Sequence, residues 1–151
     1  MEELDRMFCA LDTPPWNIGG ACVLVVLMYV DPNTDAPQKV VLNIGDCRAI
    51  IREAPDVVAL SEDHCASNEK EMARALRSGA NILGNRIAGI LQPFRVIGDA
   101  DLKGPDKKDW VIPTPEIHQS ELLVGRSILV IASDGVWTHS KDDISVIVVS
   151  V

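Results

Sequence analysis

The feature that most constrains the fold of this chain is a ten-residue apolar run. It extends from Ala21 to Val30, follows Gly19-Gly20 and is rich in valine and leucine. Because every position is apolar, rather than every second one, the run is typical of a strand buried on both faces. A helix that spans a membrane needs about 20 such residues, so the run predicts a strand in a protein core and no membrane segment.

Other short apolar segments are separated by glycine, asparagine and aspartate turns, which predicts antiparallel strands. The first three of these segments are expected to form a meander with the Ala21–Val30 strand. The predicted strands are 39–44, 47–52, 57–60, 122–124, 128–132 and 144–151.

Two segments have helical periodicity. In Glu2–Leu11 the apolar residues recur at i, i+3, i+4 and i+7, which predicts a helix with one face packed on a core. Asn68–Ser78 begins with an asparagine suited to capping a helix and has Glu71 three residues later. Few helices among many strands indicate an α+β class with helices on the faces of antiparallel sheets.

Size and charge restrict the classes of function. A chain of 151 residues is the size of one domain, expected to span 1–151. Its formal net charge of −8 disfavours binding to nucleic acid, because phosphate backbones repel acidic surfaces. The four cysteines contain no Cys-x-x-Cys pair and are interpreted as reduced thiols, which predicts an intracellular, cytoplasmic protein. A secreted disulfide framework is the alternative.

Three acidic turns lie where predicted strands end or begin. Asp46 follows Gly45, Asp134 precedes Gly135, and Asp142-Asp143 precedes the last apolar segment. A single Asp-Gly pair is a common structural turn. Carboxylates held at several strand ends, however, can converge on one edge of a sheet, and divalent cations such as Mg²⁺ prefer oxygen ligands. The three turns together therefore indicate a metal site.

The sequence resembles the metal-dependent protein phosphatase family, called PPM or type 2C. The segments that carry the resemblance occur in family order from Gly20 to Val149, and Ser133-Asp134-Gly135-Val136-Trp137 is the closest of them. The others are Gly20-Ala21-Cys22, Asn43 to Ala49, Leu60 to His64, Gly89 to Asp99 and Asp142 to Val149.

The resemblance implies an antiparallel β-sandwich flanked by helices, and metal-dependent hydrolysis of phosphoserine and phosphothreonine in proteins. Two Mg²⁺ or Mn²⁺ ions would activate a water for attack at phosphorus. By motif, the metal ligands would be Asp134 and Asp142 in the main site and Asp46 in a weaker one, with Gly135 and Asp143 adjacent. Arg48 and Arg95 would be structural or anchor a flap segment, which Asp99 would close.

The sequence also departs from the family pattern. The family opens with an arginine that holds the substrate phosphate and an Asp-Gly-His-Gly-Gly turn that bridges the metals, whereas here Asp134-Gly135 is the only Asp-Gly pair. Only four residues separate Trp137 from Asp142, where the family has a helical segment. We therefore expect a domain that is shortened at the N-terminus and before the last strand, with little or no phosphatase activity by itself.

The sequence is compatible with two hypotheses. The chain is either a shortened phosphatase domain or a degenerate phosphatase fold that serves as a binding or scaffold module. In both cases the partner is a phosphoprotein substrate or another protein. An incomplete sheet would also leave an open edge, which predicts pairing with a second copy or another chain.

Overall fold

The computed structural model describes residues 1–11, 19–53, 55–107, 109–125, 127–138 and 143–151. The helices are α1 (Glu2–Cys9), α2 (Glu69–Arg77) and α3 (Asp134–Trp137). The strands are β1 (Gly20–Ala21), β2 (Val23–Val30), β3 (Pro37–Ile44), β4 (Arg48–Glu53), β5 (Asp56–Ala59), β6 (Ile82–Leu83), β7 (Arg86–Ile87), β8 (Ile97–Gly98), β9 (Glu116–Glu121), β10 (Ser127–Ala132) and β11 (Val146–Ser150).

The chain divides into two compact units. The first consists of Met1–Val23, Ile44–Asp46 and Asp63–Pro115. The second consists of Leu24–Asn43, Cys47–Glu62 and Glu116–Val151. No helix in the described ranges is long and apolar enough to cross a membrane.

The second unit contains two antiparallel sheets. One has the strand order β11-β10-β4-β5 and the other β2-β3-β9. Both sheets contribute to one apolar cluster, so they pack face to face as a β-sandwich. Its buried members are Val41, Ala49, Ile51, Leu60, Leu122 and Leu129. The α+β class and the sandwich that the resemblance implied are confirmed.

The predicted meander is wrong between β3 and β4. These strands belong to different sheets, and the chain crosses from one sheet to the other between Ile44 and Arg48. The prediction failed because a short turn with glycine can connect two strands of one sheet or two strands of different sheets. Only the packing of the sheets distinguishes the two cases. The segment 122–124 is likewise outside the strands, since β9 ends at Glu121.

The prediction that the Ala21–Val30 run is buried on both faces is also wrong. Most of the run forms β2, as predicted, but Val25, Leu27 and Val30 are exposed. Leu24 and Val26 pack against the sandwich core. Val25 and Leu27 lie on the opposite face of β2 from Leu24 and Val26, and that face is exposed in the described structure.

The first unit combines α1 and α2 with the two-stranded pairs β1-β8 and β6-β7. Helix α2 begins as predicted, because the Asn68 side chain accepts hydrogen bonds from the amides of Lys70 and Glu71. The unit has its own apolar core. The buried members are Ala75, Ala80, Ile87, Phe94, Val96, Leu102 and Val111.

Helix α1 is present, but its apolar face is exposed, contrary to prediction; Met7, for example, is 62% exposed. The residue that α1 buries is Asp5. The Asp5 carboxylate accepts hydrogen bonds from the Gly98 amide, at 2.8 Å, and from the Lys103 ammonium. A carboxylate therefore attaches this helix to the first unit, in place of the expected apolar contacts.

Candidate functional site

Asp134 lies just beyond the end of a central strand of the second unit, β10. Strand β10 pairs with β4 on one side and with β11 on the other, so its C-terminal end is a fixed point. Ser133 follows in an extended conformation, and Asp134 is the first residue of α3. The Ser133 amide donates to the Ser145 carbonyl, and the Ser145 amide donates to Ser133 Oγ, both at 3.0 Å. This reciprocal pair fixes the half-buried Asp134 relative to the sheet.

Trp137 closes the same turn. Its indole Nε1 donates to the Ala132 carbonyl at 3.1 Å, and the Arg48 guanidinium lies 5.5 Å from the centre of its ring. The second contact is a cation–π interaction with an arginine at the start of β4. The tryptophan is therefore a packing residue, and the Ser-Asp-Gly-x-Trp segment is held at both ends.

Asp46 lies in the first unit and is buried. Its Oδ2 accepts from Gln92 Nε2 at 3.2 Å, and its Oδ1 accepts from Cys22 Sγ at 3.4 Å. The preceding Gly45 has φ of 111°, and a Cβ there would lie 2.2 Å from Cys22 Sγ. Glycine is required at this position for both conformation and space.

His64 supports the Asp46 turn from its other side. The Gly45 amide donates to His64 Nδ1 at 3.1 Å, and the His64 amide donates to the Gly45 carbonyl at 2.9 Å. Burial, followed by the charge of Arg95, lowers the pKa of His64 to about 4. The ring is therefore neutral near pH 7, with Nδ1 as a hydrogen-bond acceptor. Sequence reasoning missed this role, although the Asp63-His64 match to the family pattern pointed to the segment.

Arg95 takes part in a buried ion-pair cluster of the first unit. One Nη donates to Glu71 Oε1 at 2.5 Å, and the other donates to the Thr114 carbonyl at 2.9 Å. Arg74 Nε donates to the second Glu71 oxygen at 3.2 Å. Burial alone would raise the pKa of Glu71, but the hydrogen bond and charge of Arg95 and the charge of Arg74 lower it below its ordinary value. The cluster connects α2 to the segments around residues 95 and 114.

Asp99 follows β8 in a left-handed conformation, with φ of 51°. Its amide donates to the Gly19 carbonyl at 2.9 Å, and its carboxylate lies so close to Gly20 that a Cβ there would be 2.1 Å away. Burial and the charge of Asp101 raise the pKa of Asp99. The residue therefore holds β8 beside the glycine pair that precedes β2.

The predicted metal ligands are distributed between the two units. Asp46 belongs to the first unit, whereas Asp134, Gly135 and Asp143 belong to the second. Asp143 is exposed, and its carbonyl accepts from Ser133 Oγ at 3.2 Å. Asp142 lies outside the described residues.

Within the described ranges, no group of three or more His, Cys, Asp or Glu residues is arranged to hold a metal ion. One of the predicted ligands, Asp142, lies outside those ranges, so a metal site at these residues remains a prediction.

Comparison with known families gives a match over nearly the whole chain. The family model for protein phosphatase 2C matches residues 3–150. Probable protein phosphatase 2C 14 of Arabidopsis thaliana is 34% identical over 124 residues, which are 80% of this chain and 25% of that protein. Probable protein phosphatase 2C 21 of Oryza sativa subsp. japonica is 32% identical over 134 residues, which are 86% of this chain and 37% of that protein.

Solved structures show the same fold. A Caenorhabditis elegans sex-determining protein superposes with a TM-score of 0.70 at 22% identity, covering 90% of this chain and 32% of that one. A phosphatase from Toxoplasma gondii superposes with a TM-score of 0.64 at 24% identity, covering 74% of this chain and 34% of that one. The chain thus spans between 24% and 37% of the length of the curated relatives compared with it. The match over residues 3–150 shows that this chain belongs to the protein phosphatase 2C family.

Proposed function

We propose that this chain forms part of a domain that hydrolyses phosphoserine and phosphothreonine in proteins with the help of divalent metal ions. The observation that carries the proposal is the turn from Ser133 to Trp137. It combines the family's Ser-Asp-Gly-x-Trp sequence with a carboxylate held at the end of a central strand. A rigid scaffold under a carboxylate is what a metal site requires.

The proposed chemistry assigns separate roles to three aspartates. Asp134 and Asp142 would be ligands of the main metal site, and Asp46 would belong to a weaker one. When bound, Mg²⁺ or Mn²⁺ supplies an activated water and neutralises charge on the phosphoryl oxygens. The Ser133–Ser145 pair and the His64–Gly45 pair hold the backbone beside Asp134 and Asp46 before any ligand binds.

We further propose that the 151-residue chain by itself has weak phosphatase activity. The sequence contains a single Asp-Gly pair, Asp134-Gly135, whereas the family pattern has a second one in the turn that bridges the metals. Two carboxylates bind Mg²⁺ weakly, because water must fill the rest of its coordination shell.

Metal binding can be tested directly by titrating the chain with Mn²⁺ in a calorimeter. We expect weak binding by the wild type and a loss of that heat in Asp134→Asn. Asp56→Asn is the matched control, because it removes an exposed carboxylate from the same unit at β5. If the wild type takes up no Mn²⁺, or if both variants lose binding equally, Asp134 is not a metal ligand. The absence of Mn²⁺ binding would favour the degenerate scaffold module.

Hydrolysis is tested separately with p-nitrophenyl phosphate and Mn²⁺. We expect turnover close to the buffer rate for the chain alone. Turnover at the rate of a complete family enzyme, lost in Asp134→Asn, would contradict weak activity while supporting the metal role of Asp134.

The cysteines and the net charge indicate the cellular compartment and the class of partner. Among the described residues, the cysteines at positions 9, 22, 47 and 65 form no disulfide bond. This is consistent with a reducing, intracellular setting, which we propose to be the cytoplasm. The partner would be a phosphoprotein, and the net charge of −8 argues against nucleic acid.

A further inference from the structure

A groove in the second unit is not used by the proposed hydrolysis. Two adjoining cavities, of about 240 and about 430 Å³, share Leu60 and His118 in their walls. Strand β5 contributes to one side and strand β9 to the other. We name this feature the β5–β9 groove, and its apolar lining includes Val41, Ile51 and Leu60.

The strand pattern determines which side chains enter the groove. On β9, the alternate residues Glu116, His118 and Ser120 line it, and Glu121 joins them at the end of the strand. On β5, Val58 lines the larger cavity and pairs in register with the core residue Ile51, and Ala59 at the end of the strand lines the smaller one.

Strand β5 presents an open edge. Among the described strands it pairs only with β4, at one end of its sheet. Val57 and Val58 are 62% and 46% exposed. An exposed apolar edge strand can accept another strand through its outward backbone groups.

The groove is acidic. Four of its described lining residues are glutamates: Glu53, Glu62, Glu116 and Glu121. Lys39 is the one lysine or arginine among those described lining residues. Its ammonium already contacts Glu53 at 3.0 Å and the Glu121 carbonyl. The charge of the groove therefore suits a cationic ligand and disfavours an acidic one.

We propose that the β5–β9 groove binds a basic, extended peptide segment of a partner protein. The segment adds to the β5 edge as a further strand, so that backbone hydrogen bonds hold it. Every second side chain then points into the groove, where lysine or arginine meets the glutamates. This docking site uses neither Asp46 nor Asp134, and it stands independently of the proposed hydrolysis.

Fluorescence anisotropy of the full 151-residue chain with a labelled peptide tests the proposal. The probe is a peptide of about eight residues that alternates valine and arginine, and the comparison peptide alternates valine and glutamate. We expect binding of the arginine peptide, weakened by added salt, and no binding of the glutamate peptide.

Two variants with the same change in net charge locate the site. Val58→Lys places a cation inside the groove and should weaken binding of the arginine peptide about tenfold or more. Val57→Lys places the same charge on the adjacent residue, which pairs in register with Arg52 rather than with the core residue Ile51, and should change affinity by less than about threefold. If Val58→Lys does not fold, as judged by circular dichroism, Glu62→Gln at the exposed rim should weaken binding instead.

The proposal is overturned if the wild-type chain does not bind the arginine peptide, or if both lysine variants weaken binding equally. Equal binding of the glutamate peptide would also overturn it, since charge would then play no part. Because the readout is peptide binding without metal, its failure is distinguishable from failure of the proposed hydrolysis.

Discussion

Replacing Glu71 by glutamine should destabilise the first unit strongly, because it removes a buried anion from between two arginines. The Glu71 side chain is 4% exposed, and each carboxylate oxygen accepts from a different guanidinium, Arg95 or Arg74. A glutamine amide can accept from one arginine, but its NH₂ group would face the other. Loss of one partner from a buried ion pair costs about 3–5 kcal/mol.

The structure places the expected cost near the lower end of that range. Arg95 keeps its hydrogen bond to Thr114, and Arg74 keeps bonds to the carbonyls of Phe94 and Asp109. Both guanidinium groups also reach some solvent. We therefore expect Glu71→Gln to lower the free energy of unfolding by about 3 kcal/mol. With a urea m-value of about 2 kcal/mol/M, the midpoint of unfolding should fall by about 1.5 M.

A matched control exists in helix α1. Glu3 pairs with Arg6 at the same i, i+3 spacing as Glu71 with Arg74, but its side chain is 69% exposed. Glu3→Gln should cost less than about 1 kcal/mol, because solvent screens an exposed pair. Urea unfolding at pH 7, followed by circular dichroism and tryptophan fluorescence, measures both variants. Equal costs for the two substitutions would refute the claim that burial makes the Glu71 cluster important.

The dependence on pH gives a second measurement on the same variant. Since the folded-state pKa of Glu71 lies below its ordinary value of 4.5, the stability it contributes is present above that pH. This contribution is lost as the pH falls through the folded-state pKa. The difference in unfolding free energy between the wild type and Glu71→Gln should therefore shrink below about pH 4.5 and remain constant between pH 6 and 8.

Three further predictions concern the turn, its histidine and the open sheet edge. The pKa of His64 is about 4 in the folded state and 6.5 in the unfolded state, so the unfolded state takes up a proton first as the pH falls. The free energy of unfolding should therefore fall by up to about 3 kcal/mol between pH 6.5 and pH 4. In acid unfolding, His64→Gln should lack this loss of stability. Gly45→Ala should lower the free energy of unfolding by about 3 kcal/mol or more, since its Cβ would overlap Cys22. Gly79→Ala is the control, because Gly79 has a φ of 79° but open space around it, and it should lower that free energy by about 1 kcal/mol. Similar urea midpoints for the two variants would contradict the steric explanation. Light scattering should show self-association of the wild type that Ile147→Lys on the exposed strand β11 reduces, whereas a wild-type monomer would count against edge pairing.

The sequence by itself determined the local elements and the family. Its apolar runs located the main strands, and Asn68 marked the start of α2, because propensity and capping depend on residues a few positions apart. The order of the motifs, with the Ser133–Trp137 turn as the closest, identified the phosphatase family. It also singled out Asp46 and Asp134 as strand-end carboxylates.

Only the tertiary structure decided which surfaces are covered and how buried groups ionise. The apolar face of α1 and one side of β2 are exposed, because burial depends on what lies across space and the described residues place no layer over them. The roles of Glu71 and His64 were hidden for the same reason: their partners, Arg95 and Gly45, are 24 and 19 residues away along the chain. Local sequence patterns report neighbours along the chain, whereas packing, charge and pKa are set by neighbours in space.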